Sequence, residues 1–164
     1  RIPGKEVISC HKLVSEPDLG FVGEIDSVDP QPILAALDEG LMPILSSTAS
    51  DLEGQCYNVN ADTSAAQIAV ALKARRLVYL SDVPGLLQNP DDPATLLSSL
   101  PVAQVPELKE NGVIAKGMLP KVNSAVEALN SGVSRVHFID GRLAHSILLE
   151  IFTDKGIGTE IVHG

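Results

Sequence analysis

A chain of 164 residues that is 45% hydrophobic and 20% charged carries enough apolar material for one ordinary core, which excludes an intrinsically disordered segment. Its formal charge of −9 argues against binding along a nucleic-acid backbone, because such a surface has to be basic. The longest apolar runs, IAVAL and SILLEIF, fall far short of the roughly 20 residues that a membrane helix needs. No basic, apolar leader follows Arg1, and the expectation is one cytoplasmic domain over residues 1–164 without membrane or nucleic-acid partners. Cys10 and Cys56 form no CxxC pair and no cluster with histidines, so two free thiols are expected rather than a disulfide, and no metal site.

Taken in chain order, residues 7–13 and 21–28 mix β-branched residues with alternating polarity and read as strands. Pro17, Asp18 and Gly20 between them are turn residues. Asp29 precedes a helix opening at Pro30, with Ile33, Leu34 and Leu37 on one face and Gly40 at its end. Residues 41–45 read as a buried strand and 51–55 as a hairpin or loop tip. Asp62 is placed to cap the Ala-rich helix TSAAQIAVALKA. The apolar run 77–80 fits the interior of a parallel sheet and leads into SDVPGLL. A loop follows over residues 88–93. Helices are expected over 105–110, over 117–130 with Val122, Ala125, Val126 and Leu129 inward, and over 143–152; strands over 133–139 and 159–162. This alternation predicts an α/β fold, a three-layer sandwich with a largely parallel sheet.

The common phosphate-binding fingerprints are missing: the sequence has no GxxxxGK[ST] and no GxGxxG between a strand and a helix. The GIG at residues 156–158 reads as a turn. Four other segments draw notice. YNVNAD, residues 57–62, puts Asn58 and Asn60 on one side of a strand end, with Asp62 at a helix start; its ordinary reading is an edge strand and a cap. SDVPG, residues 81–85, follows a buried strand, where ligands of open α/β sheets bind, and Asp82 could accept from a ribose hydroxyl. It could equally be a plain turn. In NGVIAKGMLPK, residues 111–121, Gly117 exposes backbone N–H groups suited to phosphate, with Lys121 one turn further in. A lone helix lysine is usually just solvated. His137 and Glu150 alone read as a satisfied core or edge histidine and a surface charge.

In order, DLGFVGEI, GLMPILS, YNVNAD, YLSDVPGLL, KGMLPKV, VHFIDGR and LLEIFTDKGIGTEIV resemble the acetylglutamate kinases of arginine biosynthesis over nearly the whole chain. That resemblance implies the amino acid kinase fold and its C-terminal, ATP-binding lobe. The family's other half carries a glycine-rich turn, one catalytic lysine and a substrate-holding arginine, so the lobe alone is expected to be inactive. The resemblance implies a catalytic role for Lys121 as transition-state stabiliser and for Asp62 as organiser of the lysines, with Asn58 binding N-acetyl-L-glutamate. It assigns ATP to Asp82, Val83, Pro84, Gly85, Leu86 and Leu87, and to Val113, Ile114, Ala115, Gly117 and Met118. It also matches His137, Glu150 and Gly156 to contacts with L-arginine as inhibitor, and implies a homo-oligomeric full-length protein. Lys116 departs from the Gly or Asp expected before the GM pair. ATP with Mg²⁺ is the implied cofactor, the metal held mainly by the phosphates. An acceptor carboxylate, ionised at neutral pH, needs no general base; alignment and compensation of charge are the remaining tasks. The alternatives are another amino acid kinase, acting on glutamate, aspartate, carbamate or UMP, and a nucleotide- or arginine-binding regulatory domain.

Overall fold

Alternating burial builds the first hairpin. In β1 (Ile8–Lys12) Ile8 and Cys10 are buried while Ser9, His11 and Lys12 face out, and β2 (Gly23–Val28) runs antiparallel beside it. Gly23 is required by a close approach: a Cβ there would lie 2.9 Å from Tyr57 Cβ and 3.0 Å from Cys10 Sγ. The turn between the strands is fixed by Asp18, which takes a 2.8 Å ion pair from Lys12 and the Gly20 N–H. The computed structural model describes residues 1–89, 91–114 and 117–164. The chain is α/β and divides into two units, Arg1–Leu72 and Lys73–Gly164, each with a four-stranded sheet of mixed parallel and antiparallel pairs.

In the first unit, α1 (Gln31–Asp38) begins where Asp29 accepts the Gln31 N–H at 3.0 Å. Only Ile33 of its apolar residues is buried; Leu34 and Leu37, expected inward, are exposed. The expected strand at residues 41–45 is not formed beyond a single bridge from Leu45 to Ile2, and Leu41, Met42 and Ile44 are exposed. Pro43 explains this, because it lacks the N–H that a strand must donate in mid-run. Strands β3 (Thr48–Ser50) and β4 (Cys56–Asn58) form the hairpin expected around residues 51–55. Asp51 holds its tip through the N–H groups of Glu53 and Gln55 and the Tyr57 hydroxyl. The strand order is β2-β1-β3-β4.

Helix α2 (Ala61–Ala71) corrects the sequence reading of its cap. Asn60, not Asp62, sits at the cap in an extended conformation, and its Oδ1 accepts the N–H groups of Asp62 and Thr63 at 2.9 and 3.0 Å. Asp62 is already inside the first turn, where its charge suits the positive end of the helix. Replacing Asn60 by Ala is expected to lower unfolding stability by about 1 kcal/mol. Denaturant titration checks this, and an unchanged midpoint would remove Asn60 from the cap. Val7, Ile8, Cys10, Ile33, Ala49, Tyr57 and Val59 form the core of this unit. Both cysteines are free, as expected, with burial first and the neighbouring Asp26 and Asp51 second pushing the Cys10 thiol upward.

In the second unit, β5 (Arg76–Ser81) pairs in parallel with β7 (Arg135–Asp140) along its full length. Next to β7 lies β8 (Thr159–Val162), antiparallel, and beyond it β6 (Ser99–Pro101), a three-residue strand absent from the sequence reading. Helix α3 (Val105–Glu110) matches its expected bounds, with Gly112 beyond its end at φ 70°. Helix α4 (Leu119–Asn130) starts two residues later than expected and buries Val122, Ser124, Ala125, Ala128 and Leu129, with Val126 only half-buried. Helix α5 (Ser146–Phe152) also starts late. Asp140 accepts the Arg142 N–H at 2.9 Å and grips its guanidinium at 2.9 and 2.8 Å, and His145 is left-handed at φ 61°, so residues 141–145 turn instead of coiling. These Arg142 hydrogen bonds hold the Asp140 carboxyl down at about 2. Among the described residues no helix is long and apolar enough to cross a membrane.

Candidate functional site

The candidate residues fall into three groups. In the first unit, Asn58 ends β4, its N–H bonded to the Phe21 carbonyl at 2.8 Å. Tyr57 and Val59 are buried while Asn58 and Asn60 are exposed, which puts both asparagines on the same side, as the alternation predicts. Asn60 caps α2, and Asp62 is half-buried within the first turn.

The second group gathers around the carboxyl end of β5. Tyr79 is 5% exposed and stacks on Phe138 with ring centroids 5.2 Å apart and planes 11° from parallel. The ammonium of Lys121, from the first turn of α4, lies 5.9 Å from the centroid of the same Tyr79 ring. A cation within about 6 Å of an aromatic face is attracted by the ring quadrupole, so Tyr79 helps to set where that ammonium stands. Tyr79 is separated from Asp82 by two residues, and Asp82 directly follows the end of the same strand. Asp82 is exposed and accepts from Ser81 Oγ at 3.3 Å; Val83, Pro84 and Leu87 are half-buried. Gly85 and Leu86 turn inward instead. At φ 151°, Gly85 approaches β8 so closely that a Cβ would lie 2.6 Å from Thr159 Oγ1. Next to it, the Leu86 N–H donates to that hydroxyl at 2.8 Å.

After α3, the N–H groups of Val113 and Ile114 both donate to the Leu108 carbonyl, and Ile114 is buried. Ala115 and Lys116 lie outside the described residues. Among the described residues a Cβ on Gly117 would meet nothing within 4 Å, so they leave the approach to α4 open there. Met118 caps α4 without a side-chain hydrogen bond, leaving the first N–H groups of a twelve-residue helix to another acceptor. Such a terminus, with a lysine in its first turn, suits a phosphate group.

The third group is His137, Glu150 and Gly156, which line one cavity of about 540 Å³ together with Arg76, Arg135 and Lys155. His137 Nδ1 donates to Glu150 Oε1 at 2.7 Å, and both side chains are 5% exposed. Glu150 Oε2 accepts the N–H groups of Ile157 and Gly158 at 2.7 and 2.9 Å. Burial pushes the Glu150 carboxyl up, but these three hydrogen bonds outweigh it and hold it below its ordinary value. Gly156 has to be glycine here: φ is 61°, and a Cβ would stand 2.7 Å from Glu150 Oε2. Two buried nitrogens in this lining, His137 Nε2 and Arg76 Nε, have no hydrogen-bond partner among the described residues. Sequence reading named His137, Glu150 and Gly156 but missed Arg76, Tyr79 and Thr159. Tyr79 could have been found from the alternation of β5; nothing in the sequence ties it to Lys121.

This arrangement, an α/β unit with a loop at a parallel strand end beside an open helix start, coincides with a family match. Residues 2–140 match the Amino acid kinase family, and the chain belongs to it. Over 90% of its length it is 52% identical to the acetylglutamate kinase of Moorella thermoacetica, of which it covers 50%. It is also 52% identical, over 96% of its length, to the acetylglutamate kinase of Carboxydothermus hydrogenoformans, of which it covers 58%. The N-acetylglutamate synthase of Neisseria gonorrhoeae, solved in complex with coenzyme A and L-arginine, superposes with a TM-score of 0.86 at 30% identity; that match covers 99% of this chain and 38% of the synthase. The chain spans about half the length of the curated relatives it matches.

Proposed function

We propose that the chain is the nucleotide-binding part of an N-acetylglutamate kinase of arginine biosynthesis. A side-chain carboxylate oxygen of N-acetyl-L-glutamate attacks the γ-phosphorus of ATP, the bond to the β-phosphate oxygen breaks, and an acyl phosphate and ADP result. The observation that carries this reading is the Lys121 ammonium resting on Tyr79, at the strand end that leads into Asp82, in a chain about half identical to such kinases.

Two anions must meet in this reaction, so the protein's work is alignment and charge compensation. Lys121 neutralises charge that develops on the transferring and leaving oxygens. Asp82 accepts from the ribose, the open start of α4 near Gly117 and Met118 takes phosphate oxygens, and the segments 82–87 and 113–114 flank the nucleotide. Asn58 orients the acceptor by neutral hydrogen bonds, and Asp62 fixes ammonium groups. Mg²⁺, which keeps most of its waters and prefers phosphate oxygens, would add positive charge at the phosphates. Function as one nucleotide-binding lobe, assembly of the whole protein into homo-oligomers and a cytoplasmic location complete the proposal.

The His137–Glu150 cavity supports a regulatory side to this function. A buried nitrogen left without a partner costs roughly 1–3 kcal/mol, which a hydrogen bond to a ligand recovers. If His137 is neutral with its proton on Nδ1, Nε2 is an acceptor that a guanidinium N–H can satisfy. We therefore place L-arginine there, a ligand also present in the synthase complex.

Calorimetry on the 164-residue chain with ADP–Mg²⁺, N-acetyl-L-glutamate and L-arginine tests the reading. Saturable ADP binding that weakens in Lys121→Ala is the expected result. A folded chain with no ADP binding sinks the kinase reading, and arginine binding in its place would establish the regulatory alternative.

A further inference from the structure

Thr159 of β8 is hydrogen-bonded to the loop that follows β5. Thr159 is fully buried and lies opposite Phe138 in the β7–β8 pairing. Its hydroxyl oxygen accepts the Leu86 N–H at 2.8 Å, across 73 positions of sequence. The missing side chain of Gly85 is what lets the loop come so near, since its Cβ would stand 2.6 Å from Thr159 Oγ1 and 3.0 Å from Thr159 N. On its other side, the Leu86 carbonyl accepts the Leu97 N–H at 2.9 Å. The hydroxyl is itself fixed in place. Residues 157 and 158, immediately before it, donate their N–H groups to buried Glu150, and β7 fixes the strand that follows.

Valine has nearly the shape of threonine and favours a strand as well. What threonine adds is one directional acceptor, and a buried hydroxyl costs free energy unless it is bonded. That acceptor is aimed at the backbone of the segment running from Asp82 to Leu87. Asp82 itself is exposed, four positions before the tethered N–H.

We propose that Thr159 is a positioning residue for the nucleotide: its hydroxyl holds the Asp82–Leu87 segment in the conformation that accepts a nucleoside di- or triphosphate, without touching the ligand. This rests on the reading of that segment as the nucleotide loop. The same tether connects the loop, through the backbone of residues 157–159, to the Glu150 clamp.

The test compares the unaltered chain with Thr159→Val and Thr159→Ser, below the thermal midpoint of each. It reads ADP–Mg²⁺ affinity by calorimetry and amide exchange at Leu86, with the Val136 amide of β7 as an internal control. Thr159→Val is expected to weaken ADP roughly tenfold, about the net worth of one neutral hydrogen bond, and to speed exchange at Leu86 but not at Val136. Thr159→Ser keeps the acceptor and is expected to restore both. A merely structural role would lower the midpoint without this split between valine and serine. If Thr159→Val frees the Leu86 amide yet binds ADP within twofold of the unaltered chain, the positioning role is overturned and the nucleotide reading stands. If valine and serine lose affinity equally, the hydroxyl is not the cause and the proposal falls. Failure of the unaltered chain to bind ADP overturns both. Should Thr159→Val not fold, Thr159→Cys, whose sulfur is a poor acceptor, takes its place with the same outcomes.

Discussion

Joined to the rest of the Moorella thermoacetica relative to make a full-length kinase, this chain is expected to lose at least about 10³-fold in turnover when Lys121 becomes Ala. Phosphoryl transfer leaves little covalent chemistry for the protein, so loss of a cation from the transferring group falls directly on the barrier. The substitution should spare the fold. Lys121 is half-buried on the first turn of α4, and the inward face of that helix is made by Val122, Ser124, Ala125, Ala128 and Leu129. Alanine is also a strong helix former. Lys121→Arg is expected to remain poor, because a planar guanidinium cannot replace a compact ammonium over the Tyr79 ring without moving its charge. The measurement is kcat and KM for ATP in the joined protein. A kcat within tenfold of the parent would remove Lys121 from the chemistry, while a raised KM with unchanged kcat would leave it a binding role only.

Glu150→Ala is expected to be the most destabilising single change outside the apolar core, by about 3–5 kcal/mol. The carboxylate satisfies three donors at once: His137 Nδ1, and the N–H groups of Ile157 and Gly158. Alanine leaves the two backbone groups and the ring proton without their acceptor. The pH dependence has a definite sign. Because the folded-state Glu150 value lies below its ordinary 4.5, the carboxylate stabilises the fold fully above that value. The contribution is lost as pH falls through the lowered folded-state value. Thermal midpoints of the unaltered chain should therefore drop on acidification below about 4.5, and Glu150→Gln should flatten that part of the curve. Identical acid profiles for the two proteins would show that the carboxylate's charge contributes nothing.

Local rules made much of this molecule legible. Alternating polarity located β1 and β2, a continuous apolar run located β5, and the Ala-rich run located α2. The misreadings also have local causes. Residues 41–45 have the apolarity of a strand, but one proline denies them the ladder. Asn60 and Asp62 both carry cap chemistry, and only the turn geometry shows which oxygen reaches the N–H groups. β6 is three residues long and leaves no periodic trace. The candidate site was less legible than the fold. The His137–Glu150 bond, the Lys121–Tyr79 contact and the Thr159–Leu86 tether each join residues distant in sequence, and pairing of that kind is set by topology. Residue type could nominate the members, but not match them.

The place of β8 bears on how the second unit comes together. It follows every other strand and helix of its unit in chain order, yet it lies between β7 and β6. A nascent polypeptide leaving the ribosome can register β5 against β7 once residue 140 has emerged, but Ser99–Pro101 must wait for Glu160–Val162. Closure of this unit is thus a late event of high contact order, and until then the free margin of β7 is open to strands from other chains.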